Sequence, residues 1–292
     1  METLFLEPYT ILLIAGFIGF FMAFGIGAND VANSMGTSVG SRAITIKQAI
    51  IIAAIFEFLG AFLAGGEVTS TIRKGIVDPE LYVDETNIFV IGMLSALLAG
   101  GTWLYVASLR GWPVSTTHTI VGSIVGFVLI TKGVDAVSWG KVGNIAMSWV
   151  TSPLFSGTLA FGLYISAKKL ILDRSNPGEA AIRYIPFYSF LVAVVISLVT
   201  ARKGLKHVGV EFTDNEVYLF IAIFSSLVGL ATAFFLRTNK EQIMREGGIE
   251  FAFGILMVVS ASAMAFAHGS NDVANAIGPL AAIVSVVDTG EI

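Results

Sequence analysis

Asn29, Asp30 and Asn33 recur as Asn271, Asp272 and Asn275, within two stretches that nearly repeat each other: GIGANDVANSMGTSVG over 25–40 and AHGSNDVANAIGPLAA over 267–282. Each follows an apolar run long enough to cross a bilayer, where amide and carboxyl groups are costly and mark ion or substrate paths by default. Asn and Asp supply the oxygen ligands that hard cations take. The flanking glycines, Gly25, Gly27 and Gly36 in the first copy and Gly269 and Gly278 in the second, permit a helix to unwind or to pack closely. A break would free carbonyls and amides for ligands, and the short helix beyond it would aim its N-terminal amides at an anion. Glycine-mediated packing, with the asparagines bonded across a helix interface, is the plainer alternative. The return of the whole Asn-Asp-Val-Ala-Asn run at a distant place argues for a site.

A second constellation is Gly111-Trp112-Pro113-Val114-Ser115-Thr116-Thr117-His118. Proline favours a first helical turn, so Ser115, Thr116 and Thr117 would set three hydroxyls beside the exposed amides and positive end of a helix. Such donors hold a tetrahedral oxyanion, phosphate or sulfate, without a fixed positive charge. The competing reading is ordinary N-capping. Glu57 lies in the apolar run AAIFEFLGAF and, as a carboxyl group at membrane depth, is a third candidate, either paired or protonated. Glu67, Arg73 and Lys74 sit nearer a helix end and read as interfacial. His118, His207 and His268 are dispersed, without metal-ligand spacing. From another class, Ser115 as nucleophile with His118 and Asp30 would make an intramembrane serine hydrolase, but no oxyanion hole is legible and the duplication would serve nothing.

These residues need a scaffold, and composition names its kind. Of 292 residues 55% are hydrophobic and 13% charged, and the mean hydropathy is +0.82; these values belong to an integral membrane protein. A net charge of −4 without a basic tract excludes nucleic acid as a partner, and the absence of cysteine excludes disulfides and thiolate metal sites. Apolar windows of about 20 residues fall at 9–28, 44–64, 87–109, 113–131, 142–170, 185–201, 216–236 and 249–267. Segments 33–43 and 275–287, beyond the two motifs, are too short to cross and read as re-entrant half helices, tolerated at depth where protein or water surrounds them. The polar loops are 72–86, 172–184, 202–215 and 237–248, and the opening METLFLEP lacks a basic, cleavable leader. Aromatic side chains, 22 of them Phe, read as lipid-facing surface or interface anchors.

With the half helices returning to the side they left, ten lysines and arginines, among them Arg42, Lys47, Arg237, Lys240 and Arg245, share the side reached after the first helix; seven share the other, including Arg202, Lys203 and Lys206. The bias puts the N-terminus outside. The motif-bearing helices are first and eighth, so they cross in opposite directions and the repeat is inverted. The expected fold is therefore an all-α polytopic membrane protein with inverted repeats, discontinuous helices and re-entrant half helices. Its parts are a first repeat over 1–170, connecting helices over 171–248, and the start of a second repeat over 249–292.

GANDVANSMGTSVGSRAIT, GSNDVANAIG and PVSTTH together resemble the inorganic phosphate transporter family, over nearly the whole chain. The resemblance implies a secondary transporter of inorganic phosphate, coupled to sodium in many members and to protons in others. It places phosphate at Ser115, Thr116, Thr117, Asn33 and Asn275, and sodium at Asn29, Asp30, Asn271 and Asp272, with Glu57 at an acidic coupling position; no other cofactor is implied. Members normally carry a second Pro-x-Ser-Thr-Thr-His copy, whereas this chain stops at Ile292, as a truncated chain would. Charge supports coupling: phosphate beside Asp30, Asp272 and Glu57 in a low-dielectric cavity would be repelled without accompanying cations. Sodium suits amide oxygens beside a carboxylate; proton coupling through Glu57 or His118, and sulfate in place of phosphate, stay open, as do a channel and a homo-oligomer. The short loops suggest the inner membrane of a bacterial or archaeal cell.

Overall fold

Residue types in this chain leave little choice but helix: long runs of Ala, Leu, Ile, Phe and Val in which every backbone group must be satisfied within the segment. The computed structural model describes residues 4, 6–65, 79–201 and 213–289. Glu67, Arg73, Lys74, Arg202, Lys203, Lys206 and His207, with residues 72–78 of loop 72–86 and 202–212 of loop 202–215, lie outside the described residues. The main elements are α1 (Pro8–Gly40), α2 (Ile46–Ala64), α3 (Thr86–Leu109), α4 (Thr116–Lys132), α5 (Trp139–Ala167), α6 (Pro177–Val199), α7 (Asp214–Thr238) and α8 (Gly248–Thr289), and no strand occurs among the described residues. Seven are long and apolar enough to cross a membrane. The eighth, α4, has 17 residues, about 26 Å of rise against roughly 30 Å of hydrocarbon. The protein is an all-α, multi-pass integral membrane protein.

One expected detail is corrected. Helical bonding runs unbroken through both Asn-Asp motifs, so 33–43 is the end of α1 with its closing turn, and 275–287 lies inside α8. Glycine permits a break without imposing one, and the alanines around each motif, Ala28, Ala32, Ala274 and Ala276, favour helix. Even Pro279 is accommodated within α8; the loss of one N–H is tolerable where side chains and neighbouring helices can satisfy the freed carbonyl.

Other boundaries moved for identifiable reasons. α6 begins at Pro177, eight residues before the apolar window, because Asn176 caps it by accepting from the Glu179 amide at 3.2 Å and proline opens its first turn. A capping box between Thr213 and Glu216 starts α7. A π turn over Lys168–Leu172 ends the α5 region.

Contacts gather the chain into two compact units, each assembled from separated segments: 1–33, 60–144 and 268–292 form the first, 34–59 and 145–267 the second. In the second, Ile171, Ala181, Ile185, Tyr188, Leu236, Ile243 and Ala252 make a buried cluster. In the first, α3 and α4 pack together and glycines bring α1 close to α3: a Cβ at Gly25 would stand 3.1 Å from Leu104 Cβ, and one at Gly101 2.8 Å from the Phe21 ring and 3.2 Å from Met22 Cα. Close approach through small residues is how helices associate where lipid offers no hydrophobic drive. Gly101→Ala should therefore push α1 off α3 and cost about 1–3 kcal/mol, read as a lower melting temperature of the detergent-purified protein; an unchanged melt would show that the interface can shift freely.

Tyr82, fully buried, bonds Thr131 at 2.6 Å beneath Lys132, whose ammonium pairs with Glu85 at 2.6 Å, so the turn after residue 79 is fixed to the end of α4. Burial raises the phenol above its ordinary pKa and keeps it neutral.

Candidate functional site

The segment between α3 and α4 is set by local chemistry. Gly111, at φ +65°, closes α3 in the left-handed conformation that glycine adopts freely. The Gly111 amide donates to Ser108 O at 3.1 Å and the Trp112 amide to Ala107 O at 2.9 Å, the paired bonds of a Schellman turn. Ser115 then caps α4 by accepting from the His118 amide at 3.2 Å. The helix thus starts at Thr116, with Pro113 three residues ahead of it and not in its first turn. The N-cap alternative holds for Ser115, which is exposed, while its hydroxyl proton stays available to donate. The Thr116 and Thr117 amides have no acceptor among the described residues. They point out of the positive end of α4, where an anion is favoured.

Both copies of the Asn-Asp motif attach to this one segment, and all the groups involved belong to the first unit. From the first copy, Asn29, 4% exposed, donates Nδ2 to Trp112 O at 3.0 Å and accepts at Oδ1 from the Val114 amide at 3.4 Å. From the second, Asp272 Oδ1 accepts from the Thr116 hydroxyl at 2.9 Å. Asn275 Nδ2 reaches Thr116 Oγ1 at 3.2 Å, Thr117 Oγ1 at 3.3 Å and Asp272 Oδ1 at 3.1 Å.

Directions in this network are constrained. The Thr116 proton is engaged by Asp272, so Thr116 can only accept from Asn275, which must present its NH2 group. That turns Asn275 Oδ1 away from the threonines. The oxygen is buried, in a side chain 1% exposed, and has no hydrogen-bond partner among the described residues. Leaving such an acceptor unmatched costs about 1–3 kcal/mol, an expense a bound cation or donor would remove. Among the described residues no three His, Cys, Asp or Glu side chains cluster as a metal site. Asp272 and the Asn275 carbonyl oxygen offer one carboxylate and one amide oxygen, hard low-charge ligands of the kind sodium takes.

The two copies are used unequally. Asn29 and Asp30 are buried in the first, at 4% and 6% exposure, and Asn33 is exposed; in the second Asn275 is buried, Asp272 half-buried and Asn271 exposed. Asn33 and Asn271 thus stand outside the network around 112–117. Glu57 is half-buried on α2 and belongs to the second unit.

Sequence reasoning missed several participants. His268 lies one turn before Asp272 on α8, with Nδ1 buried and without a hydrogen-bond partner among the described residues; its i, i+4 spacing to Asp272 was the available signal. Backbone groups of Trp112 and Val114 had none. Ser270 donates to Ala64 O at 3.4 Å, and a Cβ at Gly65 would meet Val273 Cγ1 at 2.5 Å, so the end of α2 holds the second motif in place.

Comparison with known proteins identifies the family. The profile of the family described as "Phosphate transporter family" matches residues 26–292. The chain is 52% identical over 284 residues to a Haemophilus influenzae protein named "Putative phosphate permease", covering 95% of this chain and 67% of that one. It is 40% identical over 295 residues to "Inorganic phosphate transporter 2-1, chloroplastic" of Arabidopsis thaliana, covering 93% of this chain and 50% of that one. A solved structure described as "The sodium-dependent phosphate transporter" superposes with a TM-score of 0.88 at 40% identity, over 97% of this chain and 69% of that chain. With a profile match over residues 26–292 and relatives 40–52% identical over nearly the whole chain, the chain belongs to the phosphate transporter family.

Proposed function

We propose that this chain carries inorganic phosphate across the membrane by secondary active transport coupled to sodium ions. The observation that carries the reading is the attachment of both motif copies to 112–117, which joins a carboxylate–amide oxygen set to the positive end of α4. Phosphate would be received by the Thr116 and Thr117 amides and by the Ser115 and Thr117 hydroxyls. Sodium would sit between it and the acidic groups, with Asp272 and the Asn275 carbonyl oxygen as ligands in the second copy and Asp30 as the counterpart in the first. Each charge then lowers the desolvation cost of the other, so neither enters well alone. Asn33 as a further phosphate ligand and Asn271 as a further sodium ligand complete this reading, and both are exposed. The repeats over 1–170 and from 249 onward would be the two mirrored halves, joined by 171–248, in the inner membrane of a bacterial or archaeal cell with the N-terminus outside.

A hydrolase gains no support: the Ser115 hydroxyl is engaged as a helix cap and the named relatives are permeases and transporters. The test is uptake of labelled phosphate into proteoliposomes under an inward sodium gradient, against choline in its place and against a proton gradient alone. Sodium should raise the initial rate at least about tenfold, a difference of roughly 1.4 kcal/mol. Equal uptake in choline with a proton gradient would replace sodium by protons, with Glu57 and His118 as the groups to substitute next. Stronger inhibition by sulfate than by unlabelled phosphate would change the substrate.

A further inference from the structure

α1 closes with the same paired bonds as α3: the Ala43 amide donates to Ser38 O at 3.0 Å and the Arg42 amide to Val39 O at 3.0 Å. In α3 the left-handed position is filled by Gly111, and in α1 by Arg42 at φ +62°, the one non-glycine residue with positive φ among the described residues. A long side chain there is strained where glycine would not be, and such strain persists where the side chain has a task. Arg42 makes no ion pair among the described residues. It lines, with Ser41 and Glu250, a cavity of about 690 Å³ whose other walls include Phe251, Phe253, Met257 and Val258. All of this lies in the second unit.

We propose that this cavity binds a phospholipid with an ethanolamine headgroup. The polar inventory is one guanidinium and one carboxylate, and Glu250 likewise has no ion pair among the described residues. A zwitterion matches both: the phosphodiester takes a charge-assisted bond from Arg42, and the ammonium donates to Glu250. Ser41, whose hydroxyl now donates to Ser38 O at 3.2 Å and lies 3.3 Å from Met257 Sδ, adds a donor for a phosphate oxygen. The phenyl and thioether walls receive the glycerol and upper acyl carbons. The cavity is formed by the closing turn of α1 and the opening turns of α8, both apolar enough to span, and Arg42 and Arg245 share one side in the lysine–arginine count. Span ends on one side lie at headgroup level. Free phosphate would satisfy Arg42 but be repelled by Glu250 and leave the apolar walls uncovered, which is why the lipid is favoured over the ion.

The experiment is native mass spectrometry of the purified full chain, released from detergent containing equimolar phosphatidylethanolamine and phosphatidylglycerol, alongside melting temperatures. The wild type should retain phosphatidylethanolamine at least roughly tenfold over phosphatidylglycerol. Arg42→Gly should lose the adduct and melt no lower than wild type, because glycine relieves the left-handed strain. Glu250→Gln, at an exposed carboxylate, should fold normally and bind the two lipids about equally. The proposal is overturned if Arg42→Gly keeps the adduct, if wild type retains both lipids equally, or if millimolar inorganic phosphate strips the adduct and identifies the site as one for the free anion.

Discussion

Asp272→Asn is expected to reduce sodium-stimulated phosphate uptake by more than about a hundredfold, which corresponds to roughly 2.7 kcal/mol or more, while the protein still inserts and folds. The substitution keeps the shape and one oxygen that can go on accepting the Thr116 hydroxyl now bound at 2.9 Å. What disappears is the negative charge, and removing one partner of a buried ion pair costs several kcal/mol because the other is left uncompensated. Here the other partner is the incoming sodium ion, so the loss falls on coupling and not on the resting fold. Uptake without sodium should change little, and sodium should cease to lower the phosphate concentration needed for half-maximal rate. Asp272→Glu separates charge from position: it restores part of the sodium response if charge is the main requirement. Sodium stimulation surviving intact in Asp272→Asn would remove Asp272 from the coupling role. Asp30→Asn, in the first copy, is expected to follow it.

The reasons for expecting these effects are partly legible in the sequence. Membrane class followed from composition, and the number of main helices from apolar windows, because hydrocarbon forces backbone bonding inside each segment. The residues of the motif could be chosen because polar groups at depth are expensive and had recurred, and those at 115–117 because three hydroxyls follow one another just after a proline. Three things were hidden. Whether glycine breaks a helix is decided by packing: Gly25 serves the close approach of α1 to Leu104 on α3, and α1 continues past it to Gly40. Asn29 and Asn33 lie one turn apart on one face, so facing alone treats them alike. Burial of the first and exposure of the second depend on what stands opposite at each level, and that requires the position of the 112–117 segment. The same holds for Asn275 against Asn271. Finally, the partners of Asn29 are backbone groups of Trp112 and Val114, which every residue carries and no sequence advertises. The start of α4 was misjudged for a related reason: proline's preference for a first turn competed with the serine cap, and the cap prevailed.

Asn29→Asp should be the most damaging single-atom exchange in the first unit, because it swaps NH2 for oxygen at a side chain 4% exposed. Asn29 now donates to the Trp112 carbonyl at 3.0 Å and accepts from the Val114 amide at 3.4 Å, straddling the turn with one group of each kind. An aspartate can still accept from Val114, but its second oxygen would face the Trp112 carbonyl, two acceptors without a proton between them. Either the carboxyl becomes protonated or the turn swings away, and a buried mismatch of this kind costs about 3–5 kcal/mol. Expected readouts are a clear fall in melting temperature and uptake below a hundredth of wild type. Asn29→Ala, which removes both bonds without adding charge, should cost less, about 1–3 kcal/mol. The coupling between copies gives the sharper measurement. Thr116→Val removes the hydroxyl that serves Asp272 and Asn275, four residues along the chain from Trp112. If the 112–117 segment transmits the state of one copy to the other, Asn29→Ala and Thr116→Val will not add: the double variant should lose less uptake than the product of the single losses, by an interaction energy of about 0.5–3 kcal/mol. Strict additivity would mean that each copy holds its own end of the segment independently, and the joint site would resolve into two.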